Sequence, residues 1–381
     1  MNTTVTVVGA GPAGLLTARH LAEQGWQVSV IEEHSGIGKP VQCAGLISKS
    51  GTFINKLSIK ESIVNEIQGA RIYAPNGECL SIHKYETVAY VIDRELFDKE
   101  CQKEAEKLGV EVRRNCKLID LRSDTAFVKQ DERGEMIKTK VVVGADGASS
   151  KVRSSAGIHL PSDNFANCFQ IRAKGSFDRD FVELYFGSFA ENFFAWIIPE
   201  GKHNARIGIG TTAKKNARQC LEEFVRKKGL EVEKIDETAG LIPIGPPLKE
   251  VSRGNTVLVG DAAFHTKATT GGGIITGSIG ARLASEAITD HLRKNKPLKE
   301  YDKAVARELN KDLLIHWKVR KFLNMQDDDS LNKLFAKLKH AKIEQFLEKY
   351  GNMDQPSLFA GKLLANPKIW VMLPEAISVL R

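Results

Sequence analysis

The sequence predicts an α/β protein in which a parallel βαβ layer is interrupted by an antiparallel sheet and followed by a helical C-terminal region. Three observations carry this. Two short apolar runs, Val5-Thr6-Val7-Val8 and Val28-Ser29-Val30-Ile31, flank residues 12–24, which read as a helix ending near Gly25, the length of a βαβ unit. A later apolar run, 256–259, precedes a second helical stretch from about 273 to 292. Between them, residues 165–210 contain alternating stretches, 181–186 and 205–209, with the period of an antiparallel sheet.

The remaining elements follow in order. Around 69–92, alternating apolar residues and the turn Pro75-Asn76-Gly77 predict an antiparallel hairpin. Residues 94–108 read as a helix with Leu96, Phe97, Cys101 and Leu108 on one broad side. Residues 110–146 read as strands ending in Val141-Val142-Val143-Gly144. Beyond 300 the pattern is helical to the end, with Leu331, Leu334, Phe335 and Leu338 forming one apolar stripe.

Composition sets the outer limits. A chain of 381 residues, 42% hydrophobic and 27% charged, has the make-up of an ordinary globular protein with room for two packed units. No apolar run approaches the roughly 18 residues a membrane span needs. The first residues enter a strand without a basic, then apolar, leader, so a cytoplasmic protein is expected. Six scattered cysteines form no CxxC pair and nine histidines form no HExxH, so reduced thiols and no metal site are expected. The net charge is +8, and residues 293–349 hold fifteen Lys/Arg against nine Asp/Glu. A solvated helical face is the first reading of that excess, and peripheral contact with an anionic membrane is the second. No recognised module accompanies the charge, so nucleic acid is not expected.

The chemistry begins at Gly9-Ala10-Gly11-Pro12-Ala13-Gly14, directly after a strand and opening a helix. In that context Gly9 permits the tight turn, Gly11 lets backbone approach a pyrophosphate, and Gly14 lets the helix pack closely on the strand. Free N–H groups at the helix start face the phosphates. Glu32, at the end of the next strand, is placed to accept hydrogen bonds from a ribose diol. A coincidental turn plus acid is the weaker reading.

This unit alone does not separate FAD from NAD. A second strand, Val257-Leu258-Val259, runs into Gly260-Asp261, then Thr270-Gly271-Gly272-Gly273-Ile274 and a helix. Asp261 is suited to a ribityl hydroxyl, and a glycine-rich helix start at Gly272 and Gly273 to the electron-rich pyrimidine edge of a flavin. Val143-Gly144-Ala145-Asp146-Gly147 and Asp93-Arg94 are further pieces, Arg94 being able to neutralise a pyrophosphate or orient the ribityl chain. Together they predict a Rossmann-like FAD-binding domain at 1–68, 93–160 and 250–300. An antiparallel-sheet substrate domain at 69–92 and 161–249 interrupts it, and a helical region occupies 301–381. No second GxGxxG follows a strand, so NAD(P)H has no dedicated fold of its own.

In this order the pieces resemble the glutathione-reductase-type flavoproteins, in the branch shared by aromatic hydroxylases, flavin halogenases and geranylgeranyl reductases. Three segments are similar to the archaeal geranylgeranyl reductases: Lys39-Pro40-Val41-Gln42-Cys43-Ala44-Gly45-Leu46, Thr270-Gly271-Gly272-Gly273-Ile274 and Phe194-Ala195-Trp196-Ile197-Ile198-Pro199. Gly45-Leu46 stands where that family commonly has Glu-Gly, and Ala268 where it often has proline. The resemblance covers about residues 1–300. It implies FAD contacts at Ala13, Glu32, Cys43, Ala44, Leu46, Arg94, Leu118, Asp261, Gly273 and Ile274, with Leu118 acting through its backbone. It also implies saturation of isolated C=C bonds in geranylgeranyl chains of archaeal membrane-lipid precursors. The partners implied are a prenyl-lipid substrate and a transient electron donor, NAD(P)H or ferredoxin.

Under that reading Cys43 lies near the reacting bond as proton donor or positioning group, with a packing role beside FAD weighted equally. Phe193, Phe194, Trp196 and Pro199 belong to the substrate side, although aromatics at this spacing also suit a plain core. His265 is expected at the surface, with approach to the flavin as the lesser alternative. An FAD monooxygenase on the same scaffold and a non-catalytic FAD-binding protein are the competing readings. The cysteine segment argues against the first, and the retained redox-facing motif against the second.

Overall fold

The computed structural model describes residues 2–131, 133–160, 162–212 and 215–364, so the helical expectation for 365–381 lies outside the described residues. At its centre is the strand Asn2–Val8. It pairs in parallel with Val28–Ile31 on one side and with the end of Arg133–Gly144 on the other. Glu111–Arg113 and Thr256–Leu258 extend the sheet outward, again in parallel. Val5, Val7, Val30, Val141 and Val143 have no exposed surface, because a parallel sheet is covered on both faces. Helices Pro12–Glu23, Arg94–Lys107 and Ile274–Lys294 supply Leu15, Leu21, Phe97, Ala281 and Ala284 to the same core.

The second sheet has seven strands, in the order Glu233–Pro243, Phe165–Lys174, Asn204–Thr211, Ala195–Pro199, Phe181–Tyr185, Gly69–Tyr73, Cys79–His83. All neighbours are antiparallel except Phe181–Tyr185 and Gly69–Tyr73. The turn at Pro75-Asn76-Gly77 forms with Gly77 at φ +89°, and Ala74 N donates to Glu78 O at 2.9 Å.

Three elements differ from the sequence reading. Ala89–Ile92 leaves the hairpin and joins Leu46–Ser48 and Ile63–Ile67 in a separate three-stranded sheet. Alternation reports only that a strand has a buried face, not which sheet buries it. Helix Ala217–Lys227 covers the outer face of the seven-stranded sheet with Leu221 and Phe224, and Asn216 caps it. Strand Glu233–Pro243 is a polar edge, mostly exposed along its length, and so carries little alternating signal.

The C-terminal helices close the opposite edge. Leu334, Phe335, Ile343 and Phe346 bury against Ala74 and Leu80 of the hairpin, with Leu338 packed on them, and Leu331 of the same helix is buried as well. Helix Ile343–Tyr350 also satisfies edge amides, since Ser81 N donates to Glu344 Oε1 at 2.7 Å and His83 N to Glu348 Oε1 at 3.2 Å. A free strand edge would otherwise invite pairing with another chain.

The central turn is sterically fixed. Gly9 has φ +100°, and a Cβ there would sit 2.4 Å from Ala145 O, while a Cβ on Gly14 would sit 2.1 Å from Gly9 O. Gly14→Ala must therefore push the helix off the strand. It should lower stability by about 1–3 kcal/mol, read as the change in denaturant midpoint of the apoprotein.

Candidate cofactor and substrate site

Two helix N-termini meet at the carboxyl ends of the parallel strands. Helix Pro12–Glu23 begins at Gly11 and helix Ile274–Lys294 at Gly273; neither has a side-chain cap, and neither has an acidic residue in its first turn. They are locked together, since a Cβ on Gly260 (φ +62°) would lie 2.8 Å from the Ala13 Cβ and one on Gly277 would lie 3.5 Å from it. A Cβ on Gly11, by contrast, would meet nothing within 4 Å. The unpaired N–H groups of a helix start bind anions, so an open cradle beside Gly11 fits a pyrophosphate.

Charged residues surround this point. Glu32 accepts from Ala10 N at 2.9 Å and from His34 N at 3.0 Å, which holds its carboxylate against the first loop. Cys116 N donates to Glu32 O at 2.8 Å and so brings the strand carrying Leu118 alongside. Asp261 accepts from Thr266 Oγ1 at 2.7 Å. Burial raises its pKa, and Thr266, Arg94 and Arg153 oppose that rise. Arg94 pairs twice with Asp98, at 2.9 and 3.1 Å, and lies beside Cys43. Burial alone would lower its pKa, but Asp98 and Cys43 raise it, so the guanidinium stays charged. Asp146 serves the fold: it accepts from Ser150 Oγ at 2.5 Å and Val152 N at 3.0 Å at the start of helix Lys151–Ser155. Arg153 then ties Ala148 O to Ala262 O, joining the loop after Asp146 to the loop after Asp261.

The cysteine segment is pinned between these loops and the second sheet. Gly45 has φ +68°, and a Cβ there would meet Ile92 O at 2.5 Å and Arg206 Nη1 at 2.2 Å. Buried Arg206 donates to Ala44 O at 2.8 Å and Ile92 O at 3.0 Å and pairs with Glu200 at 2.7 Å. Cys43 Sγ accepts from Gly45 N at 3.3 Å. Ala44 and Leu46 pack with Phe193, Phe194, Trp196 and Ala268 in one apolar cluster. Phe193 and Phe194 stack at 4.2 Å, and Phe194 meets Trp196 edge-on at 6.0 Å. Trp196 Nε1 donates to Gln170 Oε1 at 3.0 Å. Gly208 and Gly210 make room beneath, because a Cβ on either would come within 2.3 Å of Trp196 or Phe193. A Cβ on Gly271 would lie 3.3 Å from Phe193 Cζ, so the aromatic wall touches the second glycine-rich loop. Pro199 stands apart from that cluster; its carbonyl accepts from Asn65 Nδ2 at 2.9 Å.

Several residues that shape the site carry no local sequence signal. Lys267 Nζ pairs with Asp354 Oδ1 at 2.6 Å, both nearly buried, and Ser48 Oγ donates to the other oxygen of the same carboxylate. Asp354 thus joins the second glycine-rich loop to the strand that follows the cysteine segment. Arg320, 2% exposed, donates to Ala268 O at 3.0 Å and Thr269 O at 2.8 Å and lies 4.7 Å from the Phe193 ring centroid. Its burial lowers its pKa to about 9. His316 Nδ1 shares a hydrogen bond of 2.5 Å with Thr269 Oγ1. His265 is not at the surface: it is 1% exposed, neither ring nitrogen has a partner among the described residues, and its ring fills the space left by Gly280.

The first 309 residues establish the general class. Residues 2–309 match the model of the FAD binding domain family, and the cradle described above has the donors that FAD requires. The chain is an FAD-dependent oxidoreductase, built on the glutathione-reductase-type α/β scaffold. Among relatives, a digeranylgeranylglycerophospholipid reductase of Methanothrix thermoacetophila is 30% identical over 97% of this chain and 98% of its own. One from Methanocella arvoryzae is 32% identical over 86% and 89%. The chain belongs to this geranylgeranyl reductase family. Its fold superposes with a TM-score of 0.87 on a geranylgeranyl bacteriochlorophyll reductase-like protein of Thermoplasma acidophilum, 24% identical, over 99% of both chains. A p-nitrophenol 4-monooxygenase of Pseudomonas putida shares the fold at TM-score 0.71 and 19% identity, over 92% of this chain and 99% of its own.

Within this geometry Gly11 and Ala13 at the helix start would hold the pyrophosphate, Gly9 and Gly14 would shape the turn that presents them, and Glu32 would hold the ribose. Asp261 and Arg94 would hold the ribityl side, and Gly272, Gly273 and Ile274 the pyrimidine edge. Gly11→Val separates binding from folding. It should change apoprotein stability by less than about 1 kcal/mol yet weaken FAD binding at least tenfold, about 1.4 kcal/mol, in a fluorescence titration of apoprotein.

Asp354→Ala leaves Lys267 charged and buried. It should cost about 3–5 kcal/mol, and Lys267→Met combined with Asp354→Leu should recover most of that loss in chemical denaturation.

Burial depresses both His265 and His316 from 6.5 to about 3. The unfolded chain therefore binds protons that the folded chain refuses between those values. The stability is complete above pH 6.5 and falls as pH drops toward 3, by up to about 1.4 kcal/mol per pH unit for each histidine. His265→Leu should flatten that slope in unfolding curves measured across pH 4–7.

Proposed function

We propose that this flavoprotein saturates isolated C=C bonds of geranylgeranyl chains on membrane-lipid precursors of archaeal type. One observation carries the reading: the cysteine segment, the aromatic side chains of Phe193, Phe194 and Trp196, and the second glycine-rich loop pack into one contiguous, buried apolar cluster. A hydrocarbon chain offers no polar handle, so such a wall must orient it by shape and exclude water from it. The names of the 30–32% identical relatives point to the same substrate class.

FAD, when bound and reduced, supplies the hydride equivalent. The chain's own residues do the rest. Phe193, Phe194 and Trp196 hold the alkene in place. The other alkene carbon needs a proton, and the Cys43 Sγ–H stands next to the Arg94 guanidinium, which would balance the charge left on sulfur. Gly45 N, donating to the same sulfur, fixes its direction. The electron donor in this reading is a transiently bound nicotinamide or a ferredoxin.

A monooxygenase is the second reading, favoured by the fold shared with p-nitrophenol 4-monooxygenase. The two differ in what is added to the substrate. Incubated without oxygen, chemically reduced enzyme should raise the mass of a geranylgeranyl lipid by two hydrogens per double bond. Lipid that is unchanged without oxygen, and that gains oxygen in air, would assign the protein to the second class. Cys43→Ala should retain FAD and lower kcat by more than it raises KM, as expected for a group used in the transition state.

A further inference from the structure

Part of the basic charge in 293–349 is engaged within the fold. Lys294 and Lys296 share Asp290, Lys303 pairs with Glu300, Arg307 with Glu308, and Arg320 is buried. A different segment has the opposite character. Helix Lys49–Ile54 leads directly from the strand that follows the cysteine segment, and it ends in two exposed apolar side chains, Phe53 at 84% and Ile54 at 66%. Lys49, Lys56 and Lys60 are exposed around them, and no acidic residue lies between 49 and 60. None of the three is ion-paired among the described residues.

The mount of this helix is rigid. Ser48 Oγ accepts from Gly51 N at 3.0 Å and also bonds Asp354, so the inner face is tied to the C-terminal segment. Gly51 and Thr52 are buried, and a Cβ on Gly51 would meet Asp354 Oδ2 and Ile275 Cγ1 at 2.8 Å. Phe53 and Ile54 are thus held outward. Ile54 also lines a groove with Ile275, Ile279, Leu309 and Leu313, which runs beside the start of the cofactor-facing helix. The acids of that groove are engaged, Glu308 with Arg282 and Arg307, and Asp312 with Ser357 N.

We infer that residues 49–60 form a docking surface for an anionic lipid bilayer, with Phe53 and Ile54 entering the interface and Lys49, Lys56 and Lys60 contacting the head groups. Exposed apolar side chains flanked along the chain by exposed lysines, none ion-paired among the described residues, match the two forces that hold proteins on such surfaces, burial at the acyl boundary and attraction to negative lipid. The groove behind Ile54 places a bound chain next to the helix whose N-terminus faces FAD. The inference deepens the lipid-reductase reading by assigning the surface from which the substrate is drawn, but docking itself does not require turnover.

The test is flotation of FAD-loaded, full-length protein with vesicles of phosphatidylcholine, alone or mixed with phosphatidylglycerol, at low and high salt. Wild type should float with the mixed vesicles at low salt only. Phe53→Ser, and separately Lys49→Glu with Lys56→Glu, should each reduce the floated fraction at least tenfold. Lys333→Glu with Lys342→Glu should leave it unchanged, and all variants should keep their FAD absorbance. No flotation of wild type, or equal flotation of the Phe53 variant, overturns the inference. So does a dimer in vesicle-free buffer that Phe53→Ser dissociates, which would give the patch to a second copy. Lipid dispersed in detergent reports separately on the reductase reading. If wild type fails to reduce it yet floats as stated, the reductase reading falls and the docking surface stands.

Discussion

Close approach of backbone to backbone at the ends of the parallel strands is the constraint on which the rest of this structure depends. Gly9 lies against Ala145 O, Gly14 against Gly9 O, and Gly260 against Ala13. A side chain at Gly9 would separate the loops after two neighbouring strands, and one at Gly14 or Gly260 would push helix Pro12–Glu23 off the strand-end turns on which it packs. Held together, the two helices present uncapped N-termini to one region, where their partial positive charges add. Glu32, Arg94 and Asp261 take their meaning from that region, since each would otherwise be an ordinary charged residue at a strand or helix end.

The second level of organisation is a set of buried cations that fasten loops lacking regular structure. Arg206 holds the cysteine segment, Arg153 the loops after Asp146 and Asp261, and Arg320 the loop before the second glycine run. Each donates to backbone carbonyls that would otherwise be buried without a partner. A guanidinium suits this work because its planar fork reaches several acceptors at once and remains charged in a poor solvent. Lys267 and Asp354 add a buried ion pair from the C-terminal region. Such pairs contribute little net stability but fix geometry, because losing one partner strands the other.

Most of the cofactor half was legible in the sequence. Strand, glycines and helix recur there as contiguous runs, so the tight turns at Gly9, Gly11 and Gly14, the strand ends at Glu32 and Asp261 and the helix start at Gly273 could be placed from spacing alone. The aromatic wall was legible as a segment but not as a surface. That Phe193 touches Gly271, while Pro199 lies outside the cluster, depends on which strands are neighbours. His265 was misplaced for a related reason. A histidine in a loop is usually exposed, and only the gap left by Gly280, in the helix that follows, buries it.

The sequence by itself determined the local chemistry, meaning the tight turns, the helix starts and the order in which they occur, because these depend on residues within a few positions of one another. Tertiary structure decided the contacts between distant segments: Arg320 on Ala268, Asp354 on Lys267 and Ser48, and Ala89–Ile92 in a third sheet. In each case the energy comes from a partner far along the chain. A charged residue on an amphipathic helix looks the same whether it meets water or a buried carbonyl, and only the packed chain distinguishes the two.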